Sequence, residues 1–114
     1  MKPILSILLF SFLMSYSVFS QEKPLRIGVV GLTHTHVHWI LGRPKDDKIT
    51  IVGIVESNKD LAQRYTQQHG YTMDQVFSTL EEMIEKTKPE AVTAFGTIYE
   101  HLAIVEKCAP WAFM

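Results

Sequence analysis

Short runs of β-branched residues alternate along this chain with stretches whose apolar residues recur at helical spacing. That alternation limits what the chain can fold into. Leu25-Arg26-Ile27-Gly28-Val29-Val30-Gly31 is an apolar run ending in glycine, the shape of a buried strand. Val37, Ile40 and Leu41 then recur at helical spacing, and Gly42-Arg43-Pro44 stops that helix. Ile49 to Val55 is a second strand with almost no polar face, which suits a parallel sheet covered on both sides. Ser57-Asn58-Lys59-Asp60 reads as a capping box opening a helix, with Leu61, Ala62 and Tyr65 on one face and Gly70 as its stop. A weak third strand falls near Gln75-Val76-Phe77. Thr79-Leu80-Glu81-Glu82 is a second capping box, opening a helix through Met83 and Ile84. Ala91 to Phe95 is a fourth strand, and Leu102, Val105 and Cys108 mark the last helix. Repeated strand–helix units predict a parallel α/β domain.

The first twenty residues stand outside this pattern. Lys2 supplies a positive start, and Ile4 to Met14 is an apolar run broken only by Ser6 and Ser11. Val18 and Ser20 occupy the third and first positions before a cut at Gln21, so residues 1–20 read as a secretory signal peptide and 21–114 as the domain. The run is shorter than the roughly 20 residues that span a bilayer, so stable membrane insertion after cleavage is not expected. Export places the domain in a periplasmic or extracellular setting. The 94 residues that remain have an ordinary globular composition, enough for one small domain and too few for a barrel or two domains. A net charge of −1 with no basic stripe argues against nucleic acid as a partner. Cys108 is the single cysteine, so no internal disulfide can form.

Chemistry in such a sheet is expected beyond the carboxyl ends of the strands, where backbone N–H groups face an anion. Three segments reach that edge: Gly31-Leu32-Thr33-His34-Thr35-His36, Glu56, and Gly96-Thr97. Glu56 lies 25 residues beyond Gly31, near the spacing at which an acidic side chain takes the ribose hydroxyls of NAD and repels the 2′-phosphate of NADP. Its other reading is a solvated strand-end carboxylate. A G-x-G-x-x-G fingerprint would begin at Gly31, but Thr33 and His36 stand where its second and third glycines belong. Thr33 would crowd the pyrophosphate, and His36 would widen the strand–helix contact.

Several strings resemble one family. They are Arg26-Ile27-Gly28-Val29-Val30-Gly31, Gly53-Ile54-Val55-Glu56, Phe77-Ser78-Thr79-Leu80-Glu81-Glu82-Met83-Ile84, Lys88-Pro89-Glu90-Ala91-Val92, and Gly96 through Ala109. In this order they resemble the N-terminal half of Gfo/Idh/MocA oxidoreductases over residues 25–110. The resemblance implies a Rossmann-like three-layer αβα domain with about four parallel strands, binding NAD or NADP. It implies a sugar or polyol substrate in a full-length relative. His101 falls where that family has a histidine opening the helix after the fourth strand, whereas its Thr-Pro-Asn is replaced here by Gly96-Thr97-Ile98-Tyr99. The expected cofactor residues are Gly31, Leu32, Thr33, His34, His36, Glu56, Thr97 and His101. The family's Glu-Lys-Pro motif, whose lysine serves hydride transfer, is not reached, and Glu106-Lys107-Cys108 lacks the proline. No catalytic residue is therefore assigned, and a truncated domain without full activity is expected. Trp111-Ala112-Phe113-Met114, read from the third base of its codons, gives Gly, an apolar residue, then His or Tyr, which fits a frameshifted family member. Such an ending would leave a sheet edge unpaired, a liability for aggregation or docking.

The histidines support a rival reading. His34, His36 and His38 alternate after a strand, and on an extended segment alternate imidazoles share a side and could hold zinc, as in a metal-binding hydrolase. A polar loop opening a helix is the favoured reading, since no carboxylate neighbours the cluster and His69 and His101 lie in separate segments. A folded remnant without ligand is the third alternative. Trp39, Tyr65, Phe95 and Tyr99 read as core or pocket-wall aromatics, Cys108 as an inert half-core thiol, and Lys86, Lys88 and Lys107 as surface charge.

Overall fold

The computed structural model describes residues 22–113, so the expected signal peptide lies outside the described residues. Four strands, β1 (Leu25–Val30), β2 (Ile49–Val55), β3 (Val76–Phe77) and β4 (Ala91–Ala94), alternate with four helices. The helices are α1 (Val37–Leu41), α2 (Lys59–His69), α3 (Leu80–Thr87) and α4 (Ile98–Cys108), with short 3-10 turns at Met73–Gln75 and Ala109–Phe113. All three strand pairings are parallel, in the order β3-β2-β1-β4. No helix among the described residues is long and apolar enough to cross a membrane.

The sheet is covered on both faces, which is why β1 and β2 lack a polar side. Ile27, Val29, Ile51 and Ile54 pack with Leu32, Val37, Leu41 and Ala62 under α1 and α2. Val30 and Val55 pack with Leu80, Met83 and Ile84 of α3, and Ile104 and Cys108 of α4 lean on that second cluster. Simple alternation would put Ile51 and Val55 on one face. The pairing instead steps from Ile27↔Ile51 to Gly28↔Gly53, passing over Val52, so the isoleucines and Val55 reach opposite layers. Met83 is fully buried across Gly28 and Gly53, where an added Cβ would stand 2.5 Å and 2.6 Å from its atoms.

Local signals decide the helix ends, with two corrections. Asn58, not Ser57, caps α2, its side chain accepting from Leu61 N at 3.1 Å. Only half of the second box forms: Thr79 Oγ1 accepts from Glu82 N at 3.3 Å, while the Glu82 carboxylate takes Lys86 at 2.8 Å. Gly70 ends α2 in the left-handed region as expected. Lys88 ends α3 there too, with φ 46°, so it is a strained C-cap as well as a surface charge. Lys107 holds Glu81 at 2.7 Å, tying α4 to α3. The aromatic reading fails at Trp39 and Tyr99, which are 75% and 90% exposed. Ile98, Leu102 and Val105 of α4 are also exposed.

Candidate functional site

Strand order reverses once. After β1 the chain builds outward through β2 to β3, then crosses back to lay β4 on the other side of β1. The segment after β1 leads into α1 on one face, and the segment after β4 leads into α4 on the other. A crevice between those two segments follows from this topology, and it is where ligands enter such sheets.

Gly31 makes the crevice narrow. Its φ is +82°, and a Cβ there would stand 2.6 Å from Gly96 N and 2.9 Å from Gly96 Cα, so the two backbones meet directly. Phe95 N donates to Val30 O at 2.7 Å, and His34 N donates to Phe95 O at 2.9 Å. The Thr33 hydroxyl also reaches Phe95 O, at 3.4 Å, which turns it toward the β4 segment. Above this floor opens a cavity of about 520 Å³ lined by His34, His36, Phe95, Thr97, Ile98 and His101. Four of the residues expected from sequence thus share one cavity.

The other expected residues have distinct surroundings. Leu32 is fully buried in the core under α1, and its N–H donates to Glu56 Oε2 at 3.1 Å. Glu56 Oε1 accepts from Asn58 N at 2.9 Å, and Glu56 N donates to Phe77 O at 3.0 Å. Glu56 is therefore a half-buried clasp joining the segments after β1 and β2, not a solvated carboxylate. A carboxylate offers about four lone-pair sites. Acceptor capacity remains for a ribose hydroxyl.

Thr97 is engaged by a neighbour that its sequence assignment did not include. Its N–H and Oγ1 both donate to Glu100 Oε2, at 2.6 Å and 2.9 Å. These bonds, the backbone one foremost, hold the Glu100 carboxyl below its ordinary range. Thr97-Ile98-Tyr99-Glu100 has capping-box spacing, so the signal was present in the sequence.

The histidines separate. Residues 34–36 form a turn running into α1 rather than an extended segment, so His34 and His36 stay together while His38 leaves them. His36 is exposed and stacks on Trp39, with centroids 4.3 Å apart and planes at 14°. It lies outside the strand–helix contact, which Val37 and Leu41 make, so the expected widening does not occur. His34 tilts against His36 at 4.5 Å. His38 turns away to His69 of α2, Nδ1 to Nε2 at 2.7 Å, beside Tyr65. Among the described residues, no three metal-ligating side chains converge. The His38–His69 pair joins positions 31 residues apart, which spacing does not reveal.

Two solved structures share this fold. One is a provisionally named dehydrogenase from Bordetella bronchiseptica RB50, 24% identical, with a TM-score of 0.62 over 79% of this chain. The other is a provisionally named NADPH-dependent oxidoreductase from Desulfitobacterium hafniense DCB-2, 16% identical, with a TM-score of 0.62 over 79% of this chain. This chain spans 23% and 25% of those chains' lengths. No family model matches the sequence, and no curated protein matches it. The likeness establishes a Rossmann-like α/β fold.

Proposed function

We propose that residues 21–114 form the NAD(P)-binding domain of a Gfo/Idh/MocA-like oxidoreductase. The observation that carries the reading is the backbone-to-backbone approach of Gly31 and Gly96 at the single reversal of strand order. That approach leaves an open cavity beside a floor of two glycines, flanked at Gly96 by the Glu100 carboxylate, which a bound pyrophosphate would have to lie clear of. The protein groups fit a dinucleotide in a modified way. Helix α1 has only five residues, so little dipole supports an anion, and the imidazoles of His34, His36 and His101 on the rim would supply the donors. Thr33 reaches across the crevice to Phe95 O, so its side chain stays at the position where the fingerprint would leave bare backbone.

Glu56 beside Leu32 favours NAD over NADP, because its charge would face the extra 2′-phosphate. When bound, the nicotinamide cofactor would accept or donate hydride. The described residues hold and orient it and include no assigned acid or base for turnover. Sugars or polyols as substrates rest on the family resemblance, and export on the N-terminal segment.

Trp39 stacked on His36 gives a direct reporter. Titration of NADH into the protein should quench tryptophan fluorescence saturably and raise Tm, with NADPH at least tenfold weaker. No saturable change with either cofactor at millimolar concentration would overturn the proposal. A Tm increase with zinc but not NADH would favour the metal reading instead.

A further inference from the structure

A second cavity, of about 240 Å³, lies at the opposite end of the sheet, between the α1–β2 loop, the start of β2 and the segment after α2. Seven-residue β2 separates it from Glu56 by about 20 Å at the usual rise per residue. Its polar lining comes from Arg43, Lys45, Asp46, Thr50, Tyr71 and Gln75. One acidic group faces two basic ones, so the cavity carries net positive charge.

The two cations are under-used. Arg43 meets Asp46 through one nitrogen, Nη2, at 3.0 Å. Its Nε is buried without a hydrogen-bond partner among the described residues. Leaving a buried charged donor unpaired is costly, so such a group calls for a partner. Lys45 Nζ sits 3.2 Å from Gly70 O and 5.2 Å from the centre of the Tyr71 ring, with no carboxylate paired to it among the described residues. Asp46 Oδ1 accepts from Lys48 N at 3.0 Å and Oδ2 holds Arg43, and among the described residues it makes no bond to Lys45.

We propose that this cavity binds a small oxyanion, a phosphate or carboxylate group, between the Arg43 guanidinium and Lys45 Nζ. The guanidinium edge is matched to oxyanion geometry, and the ammonium adds charge without demanding direction. Thr50 and Gln75 offer uncharged polar groups, and the space exceeds the roughly 30 Å³ share of one water several times over. The occupant would fasten the loop at residues 43–48 to the end of α2, remote from the dinucleotide cavity.

The test uses the full-length protein and two probes, inorganic phosphate and acetate, each against chloride at equal ionic strength. Calorimetric titration should show saturable binding of at least one probe, and thermal unfolding should show a matching rise in Tm. Whichever probe binds identifies the group recognised. Arg43→Gln should weaken binding at least tenfold and Lys45→Gln severalfold. Lys45 is exposed, so its replacement remains informative should Arg43→Gln disturb folding. Binding by neither probe, or binding that both variants retain at full strength, overturns the site. Phosphate binding that NADH displaces and Lys45→Gln leaves intact would place the anion in the Gly31–Gly96 cavity, and that result overturns the site as well.

Discussion

Gly31→Ala should damage the protein more than Gly28→Ala, although Gly28 is buried and Gly31 lies at the rim. At Gly31 two effects add. A φ of +82° costs an L-residue about 1–2 kcal/mol. The new Cβ would stand 2.6 Å from Gly96 N, whereas ordinary contact begins at 3.4 Å, so the two backbone segments must part. Parting them strains the bonds from Phe95 N to Val30 O and from His34 N to Phe95 O, each worth about 1 kcal/mol. The total is roughly 3 kcal/mol, and with an m-value of about 1.5 kcal/mol/M the urea midpoint should fall by about 2 M. At Gly28 the close contacts are the terminal methyl and sulfur of Met83, flexible atoms that can shift, and the cost should be about 1–2 kcal/mol. NADH affinity should fall with Gly31→Ala beyond the loss of stability, because the moved backbone is the floor of the cavity. Equal midpoints for the two variants would refute the reasoning, as would unchanged NADH binding by folded Gly31→Ala.

Three further outcomes follow from particular contacts. Burial, and then the neighbouring His38, hold the His69 pKa below its ordinary 6.5, so the folded state binds this proton less readily than the unfolded chain. That contribution to stability is complete above pH 6.5 and is lost as pH falls through the depressed value. Urea unfolding from pH 7.5 to 5 should therefore steepen in the wild type and flatten in His69→Gln, and parallel curves would contradict the pairing. Lys88→Gly relieves a left-handed lysine before Pro89 and should stabilise the protein by up to about 1 kcal/mol, read as a rise in Tm. Glu56→Gln replaces a carboxylate oxygen facing a backbone N–H with an amide donor, and should cost about 1–2 kcal/mol in urea unfolding. It should also narrow the preference for NADH over NADPH in the fluorescence titration.

β1 and β2 were legible because their long apolar, β-branched stretches suit the middle of a covered sheet, whereas the edge strands β3, two residues long, and β4, half alanine, carry a weaker signal. The ends of the site segments were legible for the same reason, since Gly31, Glu56 and Gly96 simply follow those runs. Side-chain destinations were not legible. The one-residue step at Val52 decides which layer Ile54 and Val55 enter, and its one mark is Gly53 beside it, which close packing against Met83 explains as readily. The His-x-His-x-His pattern misleads because its meaning depends on backbone conformation. On a strand it gathers imidazoles, whereas in the turn leading into α1 it sends His38 to His69. Glu100 carries a readable capping signal, but that signal speaks of the start of a helix and not of a carboxylate closing over Thr97 at the cavity.

The departures from the glycine fingerprint change the site's character without removing it. A fingerprint with three glycines offers a phosphate bare backbone and the start of a long helix. Here the one glycine kept, Gly31, is the one whose replacement the backbone contact with Gly96 forbids. The two lost positions carry side chains that stay at the crevice, Thr33 bonded across it to Phe95 O and His36, stacked on Trp39, lining the cavity. The requirement for glycine is thus strict only where two backbones meet, and looser where the ligand alone would touch. With α1 reduced to five residues, a dinucleotide bound as proposed would be recognised by ring N–H groups on the rim rather than by helix N–H groups. Binding in this chain should accordingly depend on His34, His36 and His101 more than on any helix terminus, and replacing them together should abolish NADH binding while leaving the buried core of the fold untouched.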